Sequence, residues 1–141
     1  MAGKDKHRAK AGDHAVILLP GIYNETLGVL ADAHDYFFSC AVSEQEEMDN
    51  RLRTMFAGEM SRVTIRLSCV MAWLMARKAA FEGKISLEDA HMHYRLDCRD
   101  ICMNQHIEAE SLLPKRMNDL LDKSYELYQR VLRLDGVKSE E

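Results

Sequence analysis

The sequence is poor in the residues that make tight turns. Of its 141 residues only 7 are glycine and 2 are proline, which leaves little turn chemistry for a fold built from many short strands. Long apolar runs are missing too. The longest, Cys69 to Ala76, has eight residues and is closed by Arg66-Leu67-Ser68 and Arg77-Lys78, whereas a membrane-spanning helix needs roughly 20. Residues Met1 to His14 are basic and contain no long apolar stretch, so they do not read as a secretory signal. There is no cationic excess: 19 Lys and Arg stand against 23 Asp and Glu, a net charge of −4. Nucleic-acid binding needs clustered positive charge to neutralise phosphate, and the balance argues against it.

Motifs that cradle phosphates are absent as well. Neither G-x-x-x-x-G-K-[ST] nor G-x-G-x-x-G occurs, so nucleotide binding has no signature. Cys40, Cys69, Cys98 and Cys102 have no glycine-rich elbow beside them, which leaves nucleophilic catalysis without its usual setting. Paired carboxylates such as Glu46-Glu47 sit where a helix N-terminus favours negative charge. The chain therefore reads as a protein with no catalytic residues and no cofactor. The four cysteines lie in helical contexts rather than in a loop-rich disulfide framework, which points to the reducing cytoplasm.

What is present is a chain that is 47% hydrophobic and 30% charged, suited to one soluble domain with a core. Residues 1–20 read as a flexible basic extension carrying Lys4, Lys6, Arg8 and Lys10, with Ala15 to Leu19 as an arm or docking strand ended by Pro20-Gly21. Residues 21–135 read as a helical domain, and 136–141 as a frayed tail.

Apolar periodicity defines the helices. From about Gly21 to Cys40, Tyr23, Leu27, Leu30, His34 and Phe37 recur at steps of four and three, with His34 as a satisfied core histidine. Ser43-Glu44-Gln45-Glu46 forms a capping box, and no stop follows until Gly83. One helix is expected over Glu44–Glu82, roughly 55–60 Å long. Along it Leu52, Phe56, Met60, Val63, Leu67, Val70 and Leu74 form a heptad-like seam. Ser86-Leu87-Glu88-Asp89 starts another capped segment, Leu87 to His106, whose weak pattern predicts broken or short helix. Pro114 suits a first helical position. From there Met117, Leu120, Leu121, Tyr125, Tyr128, Val131, Leu132 and Leu134 make a broad apolar face that ends at Asp135-Gly136. The fold class is all-α: an antiparallel three-helix bundle with one very long central helix and an irregular helical crossover. That helix offers more apolar surface than two shorter ones easily cover, which predicts a homodimer.

Two groups of residues are candidates for function. His91, Cys98, Cys102 and His106 share a helix face and have ligand chemistry suited to zinc, although four positions spread over about 22 Å cannot all reach one ion on a straight helix. Arg62, Arg66 and Arg77 lie in the most apolar part of the long helix and need partners, with Glu59, Glu108, Glu110 and Asp122 as candidates. Together with Leu52, Phe56, Thr64 and Trp73 they form the candidate partner-binding or dimer-interface set.

Four blocks of sequence carry a family resemblance. Tyr23-Asn24-Glu25-Thr26-Leu27 with Asp35-Tyr36-Phe37, Glu59 to Leu67 with Ala72-Trp73-Leu74-Met75 and Arg77-Lys78-Ala79, Phe81 to Ser86, and Leu113-Pro114-Lys115 through Leu134-Asp135 resemble the regulator-of-CtrA-degradation family of alphaproteobacterial helical proteins. The resemblance spans about Tyr23 to Asp135. It implies a dimeric adaptor that helps present cell-cycle regulators, including the response regulator CtrA, to the ClpXP protease. The sequence also admits two other readings: a metal-binding helical protein using the His/Cys cluster, and a nucleic-acid-associated regulator using the basic N-terminal segment.

Overall fold

The computed structural model describes residues 11–105 and 111–139, with side chains from Leu19 to Gly136. Every regular element among them is a helix: α1 (Ala11–Ser39), α2 (Ala41–Glu46), α3 (Asn50–Phe81), α4 (Leu87–His93), α5 (Arg99–Met103) and α6 (Lys115–Ser139). The three long ones, α1, α3 and α6, pack on one another in all three pairings. No helix of the described residues is long and apolar enough to cross a membrane.

Three lateral alignments give the directions. Glu25, Asp32 and Asp35 of α1 pair with Arg130, Lys123 and Arg116 of α6, so these helices are antiparallel. Tyr36 meets Phe56, and Tyr23 meets Lys78, so α1 and α3 are antiparallel too. Arg66 reaches Leu121 and Ser124, while Arg77 reaches Asp135. Helices α3 and α6 therefore run the same way, which departs from an all-antiparallel arrangement. A parallel pair requires the chain to travel back along the fold, and the segment from Glu82 to Pro114, with α4 and α5, makes that return.

The long helix expected over Glu44–Glu82 is split. Ser43 lies inside α2, and α3 begins at Asn50 behind Asp49, whose carboxylate accepts from Leu52 N at 2.8 Å. Asp49 offers its side chain to the backbone, which favours a new start over continuation. Arg53 secures the break by donating to the carbonyls of Gln45 and Met48, each at 3.2 Å. The far end matches its sequence signal. Gly83 adopts φ +80°, while Gly83 N and Lys84 N bond back to Ala80 O and Ala79 O, the bond pattern of a Schellman stop. Ser86 caps α4 through Asp89 N at 2.9 Å.

The core corrects three further expectations. In α1 the buried face is Ile22, Thr26, Val29, Ala33 and Tyr36, one residue out of phase with the stripe read from the sequence. Thr26 belongs to it because its hydroxyl donates to Ile22 O at 2.7 Å, which satisfies the one polar group of a buried threonine. Leu27 is exposed, and His34 is a surface residue whose ring stacks on Phe38 at 4.6 Å. Second, α1 starts at Ala11, so residues 15–19 are helical rather than a separate arm or strand, and Pro20 is inside the helix; residues 1–10 of the basic segment lie outside the described residues. Third, α6 runs through Asp135-Gly136 to Ser139. In α3 the seam is already covered: Phe56, Val63, Leu67, Val70 and Leu74 are buried, and Leu52 and Met60 pack against the same core. The seam itself therefore leaves no surplus apolar surface that calls for a second copy.

Candidate functional site

The most organised polar structure lies where α3, the returning segment and α6 meet. Arg66 is 1% exposed. Its guanidinium donates to Cys102 O at 2.8 Å, Asn104 O and Leu121 O at 3.0 Å, and Ser124 Oγ at 3.3 Å, and it lies 5.0 Å from the Tyr125 ring. Arg62 donates to Ile101 O at 2.6 Å and pairs with Glu59 at 3.2 Å. One helical turn beyond Trp73, Arg77 donates to Ala90 O at 2.9 Å and Tyr94 O at 3.1 Å, and pairs with Asp135 at 3.2 Å. Arg77 also stacks on the Trp73 ring at 4.4 Å.

Asp135 is the hub of the second cluster. It is 3% exposed. Its Oδ1 accepts from Trp73 Nε1 and Arg77, and its Oδ2 accepts from Arg95 and from Leu96 N. Burial lowers the pKa of both Arg66 and Arg77, with nearby Arg62 adding to the effect at Arg66 and Asp135 opposing it at Arg77. Each buried guanidinium thus has its N–H groups matched by main-chain carbonyls of other elements, which offsets the cost of its burial. Three arginines of one helix act as fasteners for a segment with little regular structure of its own.

The candidate partner-binding set accordingly divides. Arg62, Arg66, Trp73 and Arg77 are engaged within the chain. Phe56 is buried, Leu52 is half-buried, and Thr64 is exposed with its hydroxyl bonded to Met60 O at 2.9 Å. Of the suggested acidic partners, only Glu59 meets one of these arginines among the described residues; Asp122 is exposed, and Glu108 and Glu110 lie outside them. Sequence reasoning missed Asp135 by reading it as a helix stop. It missed the carbonyl partners because main-chain oxygens leave no trace in residue identity.

Of the His/Cys cluster, His106 lies outside the described residues, and among those described no group of three or more His, Cys, Asp or Glu side chains could hold a metal ion. Cys98 and Cys102 instead are neighbours of Cys69 of α3. Burial, with these neighbouring thiols, pushes Cys69 up to about 12 and raises Cys102 as well. Beside them Tyr128 donates its hydroxyl to Asp97 O at 2.6 Å, and burial raises its pKa above the usual phenol value.

A separate feature lies between the early part of α1 and the end of α3. Leu19, Tyr23, Asn24, Leu74, Lys78 and Phe81 line an open, mainly apolar groove of about 430 Å³. Phe81 is 72% exposed at its edge, and the Lys78 ammonium sits 5.6 Å from the Tyr23 ring.

An all-helical domain fastened by internal arginines, with an open apolar groove, is the class that fold and site define. Residues 13–141 match the model of a family described as a protein of unknown function, DUF1465, and the chain belongs to that family. No curated protein and no solved structure matches it.

Proposed function

We propose that the chain is a non-enzymatic, cytoplasmic interaction adaptor in regulated proteolysis, one that helps deliver cell-cycle regulators such as CtrA to the ClpXP protease. Two kinds of support stand behind this reading. The first is the resemblance of four sequence blocks to the regulator-of-CtrA-degradation family. The second, which carries the structural side, is the groove between α1 and α3, where Phe81 stands exposed beside Tyr23 and Leu74. An exposed aromatic group next to a concave apolar surface suits protein recognition. Action as a homodimer is part of the proposal and rests on the resemblance alone.

The test is reconstituted degradation of CtrA by purified ClpXP with and without the protein. The adaptor reading expects faster loss of CtrA when the protein is added, and a weaker effect from Phe81→Ala or Lys78→Glu. An unchanged rate across the concentration range, together with no ClpX recovered on the immobilised protein, overturns it. Sedimentation equilibrium tests the dimer separately, and a single-chain mass at all concentrations removes that part.

A further inference from the structure

The groove between α1 and α3 combines apolar walls with polar groups whose charges do not cancel. Leu19, Leu74 and Phe81 supply the apolar surface. Two charged residues also line it, Lys78 and Glu82, one helical turn apart on α3. They do not pair with each other. The Glu82 carboxylate is taken by Lys84 at 3.4 Å. The exposed Lys78 ammonium faces the Tyr23 ring at 5.6 Å and has no carboxylate partner among the described residues. Across from it on α1, the exposed Asn24 amide lines the groove and makes no side-chain hydrogen bond among the described residues. An ammonium can only donate, and an amide can donate as well. The groove therefore offers one uncompensated positive charge and a second donor beside a mainly apolar surface.

We propose that this groove is a binding site for an anionic amphiphile, a single-chain fatty carboxylate. Its tail lies against Leu19, Leu74 and Phe81, and its carboxylate pairs with Lys78 and accepts from Asn24. Charge selects the sign of the head group, because the carboxylate in the lining is already neutralised and the ammonium is not. Size selects a small molecule. Helix α3 lines the groove from Leu74 to Glu82, about 12 Å of helix, and the volume of about 430 Å³ is that of a small-ligand site, mainly apolar with a few polar groups that fix orientation. A protein interface buries roughly 1,000 Å² or more, so a protein partner must spread well beyond this groove, whereas a fatty carboxylate is held within it. Covering Phe81 removes exposed aromatic surface from water, which drives binding of the tail. The site stands on the groove alone. One consequence rests on the adaptor reading: there, a bound fatty carboxylate competes with the protein partner for Phe81 and so regulates the same surface.

Decanoate is titrated into the full-length chain below its micelle concentration, with binding followed by calorimetry and by amide NMR shifts. Decyltrimethylammonium, which has the same tail and a cationic head, and acetate, which is the head alone, are the controls. The expected result is saturable one-to-one binding of decanoate, with shifts centred on Tyr23, Asn24, Lys78 and Phe81. Decyltrimethylammonium binds about tenfold more weakly, because repulsion replaces an exposed ion pair, and acetate gives no measurable binding. Lys78→Met keeps an apolar stem and weakens decanoate about three- to fivefold, the contribution of one exposed pair. High salt erases that difference. Phe81→Ala weakens both tailed probes alike. Equal affinity for the two tailed probes overturns the proposal, as do shifts centred outside the groove, unchanged affinity in Lys78→Met, or no saturable binding. Lys78 and Phe81 are both exposed, and the unaltered chain with the three probes decides the matter without either variant. Protease and CtrA are absent from the experiment, so its failure is distinct from failure of the adaptor reading.

Discussion

Helix α6 is held on its two sides by opposite means. Toward α1 it makes ion pairs between side chains that remain in water: Arg130 with Glu25 at 2.7 Å, Arg116 with Asp35 at 3.4 Å and Lys123 with Asp32 at 3.9 Å. Toward α3 and the returning segment its polar contacts are buried, with Ser124 on Arg66 and Asp135 on Arg77, Trp73 and the backbone of Leu96. The exposed pairs align two helices that apolar packing already joins, and each contributes little because water competes for the charges. The buried contacts are a different matter. A guanidinium sealed among carbonyls is costly to leave unpartnered, so one register of the returning segment is strongly preferred over its neighbours.

Substitutions on the two sides sharpen this contrast, and the largest effect is expected at Arg66. Arg66→Ala takes the arginine donor from Cys102 O and one of two donors from each of Asn104 O and Leu121 O, and should destabilise the fold by about 3–5 kcal/mol in urea unfolding. A loss under about 1 kcal/mol would mean that apolar contacts alone hold the segment. Asp135→Ala leaves Trp73 Nε1 without its acceptor and Arg77 without its carboxylate, though Arg77 keeps its two carbonyls, with an expected loss of about 2–3 kcal/mol; hydrogen exchange should show α4 opening while α1 stays protected. Tyr128→Phe removes one bond, to Asp97 O, and should cost about 1 kcal/mol. Smallest is Arg130→Ala on the α1 side, at under about 1 kcal/mol and fading further at high salt. An Arg130 effect rivaling that of Arg66 would erase the distinction between the two sides.

What was legible in the sequence was local. Gly83, Ser86 and Pro114 mark helix boundaries through their own backbone chemistry; the first two stand as expected, and the last helix begins at Lys115, one residue after the Pro114 expected as its first position. The seam of α3 was legible because its residues are strongly apolar at regular steps. The α1 face was misread by one residue because two registers of that helix have the same spacing. Choosing between them needs the knowledge that Thr26 satisfies its own hydroxyl and that Tyr36 can be buried when Glu44 accepts its hydrogen bond. The break at Asp49 was hidden by a competing cap signal at Ser43. As for the site, the arginines stood out in the sequence and Glu59, three residues from Arg62, was within local reach, but the partners of Arg66 and Arg77 are carbonyls, a hydroxyl and a carboxylate thirteen to fifty-eight residues away along the chain. Nothing local points across that distance.

That separation has a consequence for the order in which the chain is made. Arg66 and Arg77 leave the ribosome before Ser124 and Asp135, each waiting through fifty-eight residues of further synthesis. Until then the nascent α1–α3 hairpin presents Arg77 without its carboxylate, and Arg66 without its α6 hydroxyl and carbonyl, on the surface that α6 will cover. The first half of the chain should therefore stay loosely collapsed and within reach of chaperones, and become native only when its last helix arrives.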